Sequence, residues 1–128
     1  MKVNKIEIVK VTSLKPIERY QYFLKRVADS EIIFILLNPN DEYVLSELDG
    51  NILLAFWSAK EYAELCQVDG WENSCIKEIS LEIFTDKMID FIEKNNILLN
   101  IFPVKDKTGF IVSIDEFAKD LYDELDKY

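Results

Sequence analysis

The sequence of 128 residues predicts an α+β fold in which helices pack on a mainly antiparallel sheet. Capped amphipathic helices alternate along the chain with short apolar runs that are rich in β-branched residues. The turn signals at Asp49-Gly50 and over residues 103–108 are typical of hairpins. After a short N-terminal extended segment, the predicted element order is α-β-β-β-α-β-α-β-β-α over residues 16–126.

The first half of the chain predicts one helix followed by three strands. Residues 3–11 partly alternate between apolar and polar side chains, which indicates a short peripheral edge strand. An apolar face repeats at helical spacing over residues 16–29, so we expect a helix there. Strands are predicted over residues 31–37, 43–47 and 51–56, and we expect these three strands to form an antiparallel meander.

The core is predicted to centre on residues 51–71, which contain both tryptophans, Trp57 and Trp71. A continuous apolar run opens this segment and favours a strand that is covered on both faces. Ser58 and Glu61 then stand in the Ser-x-x-Glu pattern of a capping box, so we expect a helix to begin at that serine.

The second half of the chain predicts a strand over residues 75–80 and a helix that begins at Leu81 and ends near Asn95-Asn96. Strands over 97–102 and 109–113 are separated by the charged turn. A second capping box, Ser113 with Glu116, predicts the start of a last helix with a strongly amphipathic pattern.

Length and composition predict a single domain spanning residues 1–128, with 1–15 as a peripheral segment. The longest apolar runs are far shorter than a membrane span and the first ten residues lack a signal-peptide centre, so we expect a cytoplasmic protein without membrane contact. Cys66 and Cys75 are too few for a disulfide scaffold, and we predict that both are reduced, packed thiols.

The chain is acidic, with a formal net charge of -9. Residues 38–128 carry 8 basic and 20 acidic side chains, so the bulk of the domain repels phosphate. We therefore predict that the protein does not bind nucleic acid. Solubility is the simplest interpretation of this charge, and recognition of a basic protein partner is the alternative.

The residue types exclude several chemistries. The sequence contains no histidine, which removes histidine-dependent triads and imidazole metal sites. Its three glycines are isolated and its two cysteines cannot make a four-thiolate zinc site, so we predict no cofactor and no metal. Carboxylates one helical turn apart are the remaining route to catalysis, although solvated helix faces also carry such pairs. These pairs are Glu61 with Glu64, Asp86 with Asp90, and Glu116 with Asp120.

Several segments together match a family pattern. They are Arg19-Tyr20, Phe23-Leu24, Val27, Phe56-Trp57-Ser58, Glu61-Tyr62-Ala63, Trp71, Ile79, Phe84, the segment Leu98-Asn100-Phe102-Pro103, and Gly109 with the capped final helix. On these residues the chain resembles the small bacterial family DUF2750 over about residues 16–126. The resemblance implies no particular activity, because that family has no established activity or catalytic residues. The plan is also distantly similar to the N-terminal domain of SseB-type secretion enhancer proteins.

We predict that the protein is an interaction module without catalytic activity. The candidate interaction surface consists of Trp57, Tyr62, Trp71, Asp120 and Glu124, since Trp and Tyr are enriched at interfaces and the two carboxylates are expected on the outer face of the last helix. Two alternatives stay open: an uncharacterised enzyme that uses paired carboxylates, and an acidic immunity or antitoxin-type inhibitor of a basic toxin. An apolar patch ringed by acid would favour the interaction module, and a deep cleft with converging carboxylates would favour the enzyme.

Overall fold

The computed structural model of the chain describes residues 3–105 and 107–127. The helices are α1 (Lys5–Thr12), α2 (Pro16–Ser30), α3 (Lys60–Leu65), α4 (Leu81–Ile83), a π-helical segment (Phe84–Met88), α5 (Ile89–Lys94) and α6 (Ile114–Leu125). The strands are β1 (Ile32–Leu37), β2 (Leu45–Leu48), β3 (Asn51–Phe56), β4 (Cys75–Ser80), β5 (Leu98–Ile101) and β6 (Phe110–Val112). The predicted α+β class and the predicted element order from α2 onward are confirmed.

The strands form two sheets. β1 pairs with β4, and a second sheet has the order β2-β3-β5-β6. The β3–β5 pairing is parallel and the other three pairings are antiparallel, so the sheet structure is mainly antiparallel, as predicted. Two backbone hydrogen bonds between Phe34 and Trp57, at 2.9 and 3.0 Å, join the two sheets. None of the described helices combines the length and the apolarity that a membrane span requires.

The predicted meander of the first three strands is wrong, although its second turn is confirmed. β1 forms its ladder with β4 and meets the chain before β2 at a bridge between Leu37 and Tyr43. The loop over residues 38–44 is too long for a two-residue hairpin, which leaves that edge of β1 mostly free of β2. Asp49 and Gly50 have φ angles of 52° and 82°, the left-handed conformation that a tight type I′ turn between β2 and β3 requires.

The N-terminal segment is a helix and not the predicted extended strand. Asn4 caps α1, because its side-chain oxygen accepts a hydrogen bond from the backbone N–H of Glu7 at 2.8 Å. Such a cap satisfies an amide that would otherwise lack a partner in the first turn. Val11 on α1 and Val3 just before it are buried in the core, whereas Ile6 and Val9 are exposed, so only part of this segment's apolar side chains pack.

The capping box predicted at Ser58 does not form, whereas the serine half of the one predicted at Ser113 does. Ala59 occupies the N-cap position of α3, and the Ser58 hydroxyl is buried without a hydrogen-bond partner among the described residues. The Glu61 carboxylate accepts instead from the backbone N–H of Val3 at 3.2 Å. In α6, Ser113 Oγ accepts from the N–H three residues later at 3.2 Å, as a capping serine should.

The core centres on aromatic rings from four elements. Their centroids lie 5.7 to 6.0 Å apart, and the rings belong to Phe23, Phe56, Phe84 and Phe117. Residues 53–57 are all buried, which confirms that the core centres on β3. Trp57 also meets Trp71 edge to face at 6.2 Å, so the loop after α3 is tied to this centre.

Candidate functional site

A cavity with a volume of about 710 Å³ lies beside the β1–β4 sheet, where α5 and the loop before β2 form its walls. We call it the outer groove, and its lining residues are Ile35, Leu37, Asn38, Asp41, Glu42, Tyr43, Leu45, Lys77, Ile79 and Phe91. Six of these ten side chains are apolar or aromatic; Leu45 is exposed, Leu37, Tyr43 and Phe91 are partly buried, and Ile35 and Ile79 are buried.

Charged side chains stand around this apolar surface. Asp41 and Glu42 are exposed in the loop between β1 and β2, and Lys77 is exposed on β4. Leu45 at the start of β2 is 40% exposed. The groove therefore combines an apolar surface with two carboxylates and one ammonium group.

A local turn holds the two carboxylates in place. Asn38 Oδ1 accepts from the backbone N–H groups of Asn40 and Glu42 at 2.9 and 3.1 Å. Asp41 has φ = 60°, a left-handed conformation that Asp tolerates better than most residues. Residues 38–42, which we call the Asn38 turn, thus satisfy many of their own polar groups, and the Glu42 carboxylate also accepts from the Asn38 amide at 3.3 Å.

One wall of the outer groove is an aromatic pair. The rings of Tyr43 and Phe91 lie 5.1 Å apart at an interplanar angle of 56°, which fastens the loop before β2 to α5. Burial raises the pKa of the Tyr43 phenol, so this hydroxyl stays neutral at physiological pH. It can donate or accept a hydrogen bond, but it does not add charge to the groove.

A strained bend lies on the other side of the second sheet. Phe102 is fully buried with φ = 62°, a conformation that is costly for a bulky side chain. Arg19 Nε donates to the Phe102 carbonyl at 3.1 Å, and Trp57 Nε1 donates to the Pro103 carbonyl at 3.0 Å. Residues 101–104, which we call the Phe102 bend, are therefore held by partners that are distant in sequence.

The thiol of Cys66 also contacts this bend. Its Sγ donates to the Pro103 carbonyl at 3.4 Å. Burial raises the pKa of the Cys66 thiol to about 11, against the opposing effects of the Trp57 indole and the Arg19 guanidinium. Burial likewise lowers the pKa of Arg19, whose Nη2 has no partner within the described residues. A neutral, hydrogen-bonded thiol is a packing group and a poor nucleophile.

The two cysteines are unbridged, but their environments differ. Cys66 is buried, as predicted. Cys75 is exposed, so the prediction that it is packed is wrong. Cys75 is the first residue of β4, where the side chains at alternate positions face solvent.

A second cavity of about 290 Å³ lies between the second sheet and the loops that follow α3 and the Phe102 bend. We call it the Trp71 cavity. Its lining residues are Ser46, Glu47, Leu48, Leu53, Cys66, Val68, Asp69, Trp71, Asn100, Pro103, Val104, Lys105, Lys107 and Thr108. It shares no lining residue with the outer groove.

The structure does not place the predicted surface aromatics on one exposed surface. Trp57 and Tyr62 are 0% and 1% exposed, so they are core residues and cannot contact a partner without unfolding. Trp71 is partly buried and lines the Trp71 cavity. The expectation that these three rings form one surface is therefore wrong, because β3 and α3 turn two of them inward.

The predicted acidic pair on the last helix serves the fold. The Tyr20 hydroxyl donates to Asp120 at 2.6 Å, and burial followed by this hydrogen bond raises the pKa of that phenol. The Glu124 side chain is only 12% exposed and lies 3.5 Å from the Lys127 ammonium. Neither carboxylate stands free on the outer face, so the expected position of this pair is wrong.

The three carboxylate pairs do not converge in a cleft. Glu64, Asp86, Asp90 and Glu116 are exposed, and none of them lines the outer groove or the Trp71 cavity. Asp120 is engaged by a tyrosine hydroxyl. In the described part of the chain, no three acidic or cysteine side chains are placed to hold a metal ion.

Sequence reasoning missed the outer groove. Its residues come from β1, the Asn38 turn, β2, β4 and α5, and they meet because β1 pairs with β4. A local signal was present at Tyr43 and Leu45, where an apolar pair follows a strong turn sequence in a strand that has no apolar cover on one side. That signal predicts exposure but does not identify the opposite wall.

Comparisons with known proteins give one family and a weak structural likeness. The family model described as "Protein of unknown function (DUF2750)" matches residues 20–121. No curated protein matches the chain in sequence. The solved structure of Anabaena Tic22 (protein transport) is similar at 13% identity and a TM-score of 0.40, over 66% of this chain and 47% of that one. The similarity to the SseB-type domain stays a prediction.

Proposed function

This chain belongs to the DUF2750 family, whose function is unknown, and we propose from its geometry that it binds another protein through the outer groove. One observation carries the proposal: a cavity of about 710 Å³ is lined mainly by apolar and aromatic side chains, with Leu45 exposed, beside the carboxylates of Asp41 and Glu42. Such a patch on a small soluble domain is typical of an interaction site. It is also the arrangement expected of an interaction module rather than of a carboxylate enzyme.

The charge of the groove indicates the kind of partner. Two carboxylates face one ammonium group, on a chain with a net charge of -9. A segment that inserts an apolar side chain next to a Lys or Arg would match both the surface and the charge. A basic toxin would be one such partner, with this protein as its inhibitor.

The test uses two matched variants of the same hairpin. Leu45 lines the groove and Ile52 does not, yet they are 40% and 41% exposed on paired strands. Leu45→Lys should weaken binding of a purified partner, first captured from the native host, by about tenfold or more, because it removes apolar contact and repels a basic segment. Ile52→Lys should bind as the unaltered protein does.

Salt provides an independent readout. Association of the partner should slow as salt rises, because exposed carboxylates steer a basic segment only within a short screening distance. Equal binding by both variants would contradict the proposal. So would saturable turnover of a small molecule that disappears on Asp86→Asn or Glu61→Gln, which would favour the enzyme.

A further inference from the structure

Helix α1 presents an apolar pair to water between two lysines. Ile6 and Val9 are 71% and 65% exposed, whereas the exposed aliphatic side chains elsewhere in the described chain reach only 40% to 44%. Lys5 and Lys10 are exposed beside this pair. A helix with 3.6 residues per turn places positions 5, 6, 9 and 10 on one side. We call these four residues the α1 face, which is both apolar and basic.

The carboxylate of α1 is turned away from this face. Glu7 is the one acidic side chain among the eight residues of the helix, and it accepts a hydrogen bond from the Tyr22 hydroxyl. The Tyr22 oxygen also lies 3.0 Å from that of Tyr62, and Val11 is buried on the same inner side. The inner side of α1 is therefore occupied by the domain itself, and the α1 face carries positive charge without an acidic member.

Helix α6 presents a surface of the opposite charge. Tyr122 is 71% exposed, which is unusual for so large a side chain. Asp115, Lys119 and Asp126 are also exposed. Together with Tyr122 they follow the i, i+4, i+7, i+11 spacing of one helix stripe. We call these four residues the α6 face, which combines an aromatic ring with two carboxylates and one ammonium group.

The two helices lie on different sides of α2. Tyr22 of α2 donates to Glu7 of α1, and Tyr20 of α2 donates to Asp120 of α6 at 2.6 Å. Because positions two apart on a helix point about 200° apart, α1 and α6 flank α2. Ile17 on α2 is itself 43% exposed. When two copies meet about a two-fold axis that runs along α2, each α1 lies opposite the partner's α6, so both contacts form at once.

We propose that the α1 face docks on the α6 face of a second copy of this chain, which forms a two-fold dimer. The lysines of the α1 face pair with the aspartates of the α6 face, and the exposed aliphatic pair packs on the Tyr122 ring.

Charge favours this occupant over two others. Contact between two α1 faces would place lysines against lysines, and an anionic bilayer that attracted the α1 face would be repelled by the acidic remainder of the chain. The proposed dimer uses none of the residues that line the outer groove, so it does not depend on the partner proposed there.

Sedimentation of the full chain over a range of concentrations tests the dimer. We expect the mass to approach twice that of one chain as concentration rises, and the dimer to weaken as salt is added, because its charged pairs lie near water. A mass that stays that of one chain up to about 1 mM would overturn the proposal, since that limit corresponds to a negligible affinity.

Charge reversal identifies the two faces. Lys5→Glu with Lys10→Glu and, separately, Asp115→Lys with Asp126→Lys should each weaken the dimer by about tenfold or more, because like charges then face each other. An equimolar mixture of the two variants should restore a dimer, which native mass spectrometry identifies as mixed. A chain with all four substitutions should also dimerise. If every variant is folded by circular dichroism but neither the mixture nor the fourfold variant dimerises, the pairing of α1 with α6 is wrong.

Two controls separate this dimer from other contacts. Lys87→Glu with Lys94→Glu makes the same change in net charge at exposed positions outside both faces, and it should dimerise as the unaltered chain does. Ile6→Ser with Val9→Ser should weaken the dimer several-fold, because the apolar contact is lost. A chain that stays monomeric but binds vesicles of phosphatidylglycerol through Lys5 and Lys10 would contradict the proposal and assign the α1 face to a membrane surface.

Discussion

The Phe102 bend and the Asn38 turn are both irregular segments with a non-glycine residue at positive φ, but they are stabilised in opposite ways. The bend is held from outside: Arg19 and Trp57 reach its carbonyls across 83 and 46 positions of sequence. The turn is held from inside, since the Asn38 side chain accepts from N–H groups two and four positions away. The conformation of the Phe102 bend therefore depends on the whole fold, whereas that of the Asn38 turn depends on the turn's own residues.

This difference indicates where the molecule can tolerate change. Removing a partner of the bend leaves a buried carbonyl without a donor, which costs more than a lost surface hydrogen bond. Residues at the rim of the turn face water and can change at little cost to folding. A groove built beside a self-contained turn can therefore vary its partner contacts while the core stays fixed.

The largest effect is expected at Gly109, where the bend leaves no room for a side chain. In Gly109→Ala the new Cβ would lie 2.2 Å from the Ile101 carbonyl oxygen and 2.7 Å from two further backbone atoms. We expect a loss of about 4 kcal/mol or more in the free energy of unfolding, measured by urea denaturation. Gly50→Ala is the control, because nothing lies within 4 Å of its Cβ position and the only cost is its φ of 82°, about 1 kcal/mol. Similar losses in the two variants would contradict the account of the bend.

Arg19→Met should give the next largest effect. The guanidinium donates to the carbonyls of Phe102 and Leu14, and methionine fills a similar volume without either hydrogen bond. We expect the free energy of unfolding to fall by about 3 kcal/mol, because two carbonyls lose a charged donor. Gln21→Met, an exposed position on the same helix, should change stability by less than about 0.5 kcal/mol. If the free energy of unfolding falls no more in Arg19→Met than in Gln21→Met, Arg19 does not hold the bend.

The same contrast explains which parts of the fold the sequence could predict. The hairpin at Asp49-Gly50 and the capped start of α6 at Ser113 depend on neighbouring residues, and both were predicted correctly. The β1–β4 pairing depends on partners 38 to 48 residues away, and no local pattern identifies it. Partial alternation over residues 3–11 favours a strand, but Asn4 caps a helix there instead.

The candidate sites were less predictable than the fold. Trp71 was nominated from its residue type and does line a cavity, but Trp57 has the same residue type and is buried. Composition cannot separate these cases, since exposure depends on which strand pairs with which. A bulky residue such as Phe102 at φ = 62° is also invisible in sequence, because its own preference opposes that conformation.

Alkaline pH should weaken the bend through Cys66. The thiol pKa is raised from 9.0 to about 11 in the folded protein, so the folded state holds its proton more tightly than the unfolded state does. The contribution of this thiol to the free energy of unfolding is fully present below about pH 9 and is lost as the pH rises through about 11. The total loss is about 2 kcal/mol. Buried tyrosines with raised pKa values, such as Tyr20, add to the loss at higher pH.

A matched pair of cysteine variants isolates that contribution. Over the interval from about pH 9 to 11, the unfolding free energy of Cys66→Ala should fall less steeply than that of the unaltered chain. Cys75→Ala makes the same chemical change at an exposed thiol and should keep the original slope. In the native protein at neutral pH, a thiol reagent should label Cys75 quickly and Cys66 slowly. Equal slopes for both variants would mean that the tyrosines alone cause the alkaline loss.

The smallest effect on folding is expected at the rim of the Asn38 turn, in the double variant Asp41→Asn with Glu42→Gln. Asn tolerates the positive φ of position 41, and Gln keeps an oxygen that can accept from the Asn38 amide, as Glu42 does at 3.3 Å. The unfolding free energy should therefore stay within about 0.5 kcal/mol of the unaltered value.

Association rates should distinguish the carboxylates at this rim from the other acidic side chains on the surface. Asp115→Asn with Asp123→Asn changes the net charge equally at exposed positions of α6, far from the residues that line the outer groove. If carboxylates beside the groove steer a basic partner, the rim variant should slow association several-fold at low salt and the α6 variant should not. If both variants slow association equally, steering depends on the total charge of the chain. If the rim variant loses much stability, the Asn38 turn is not held by its own residues.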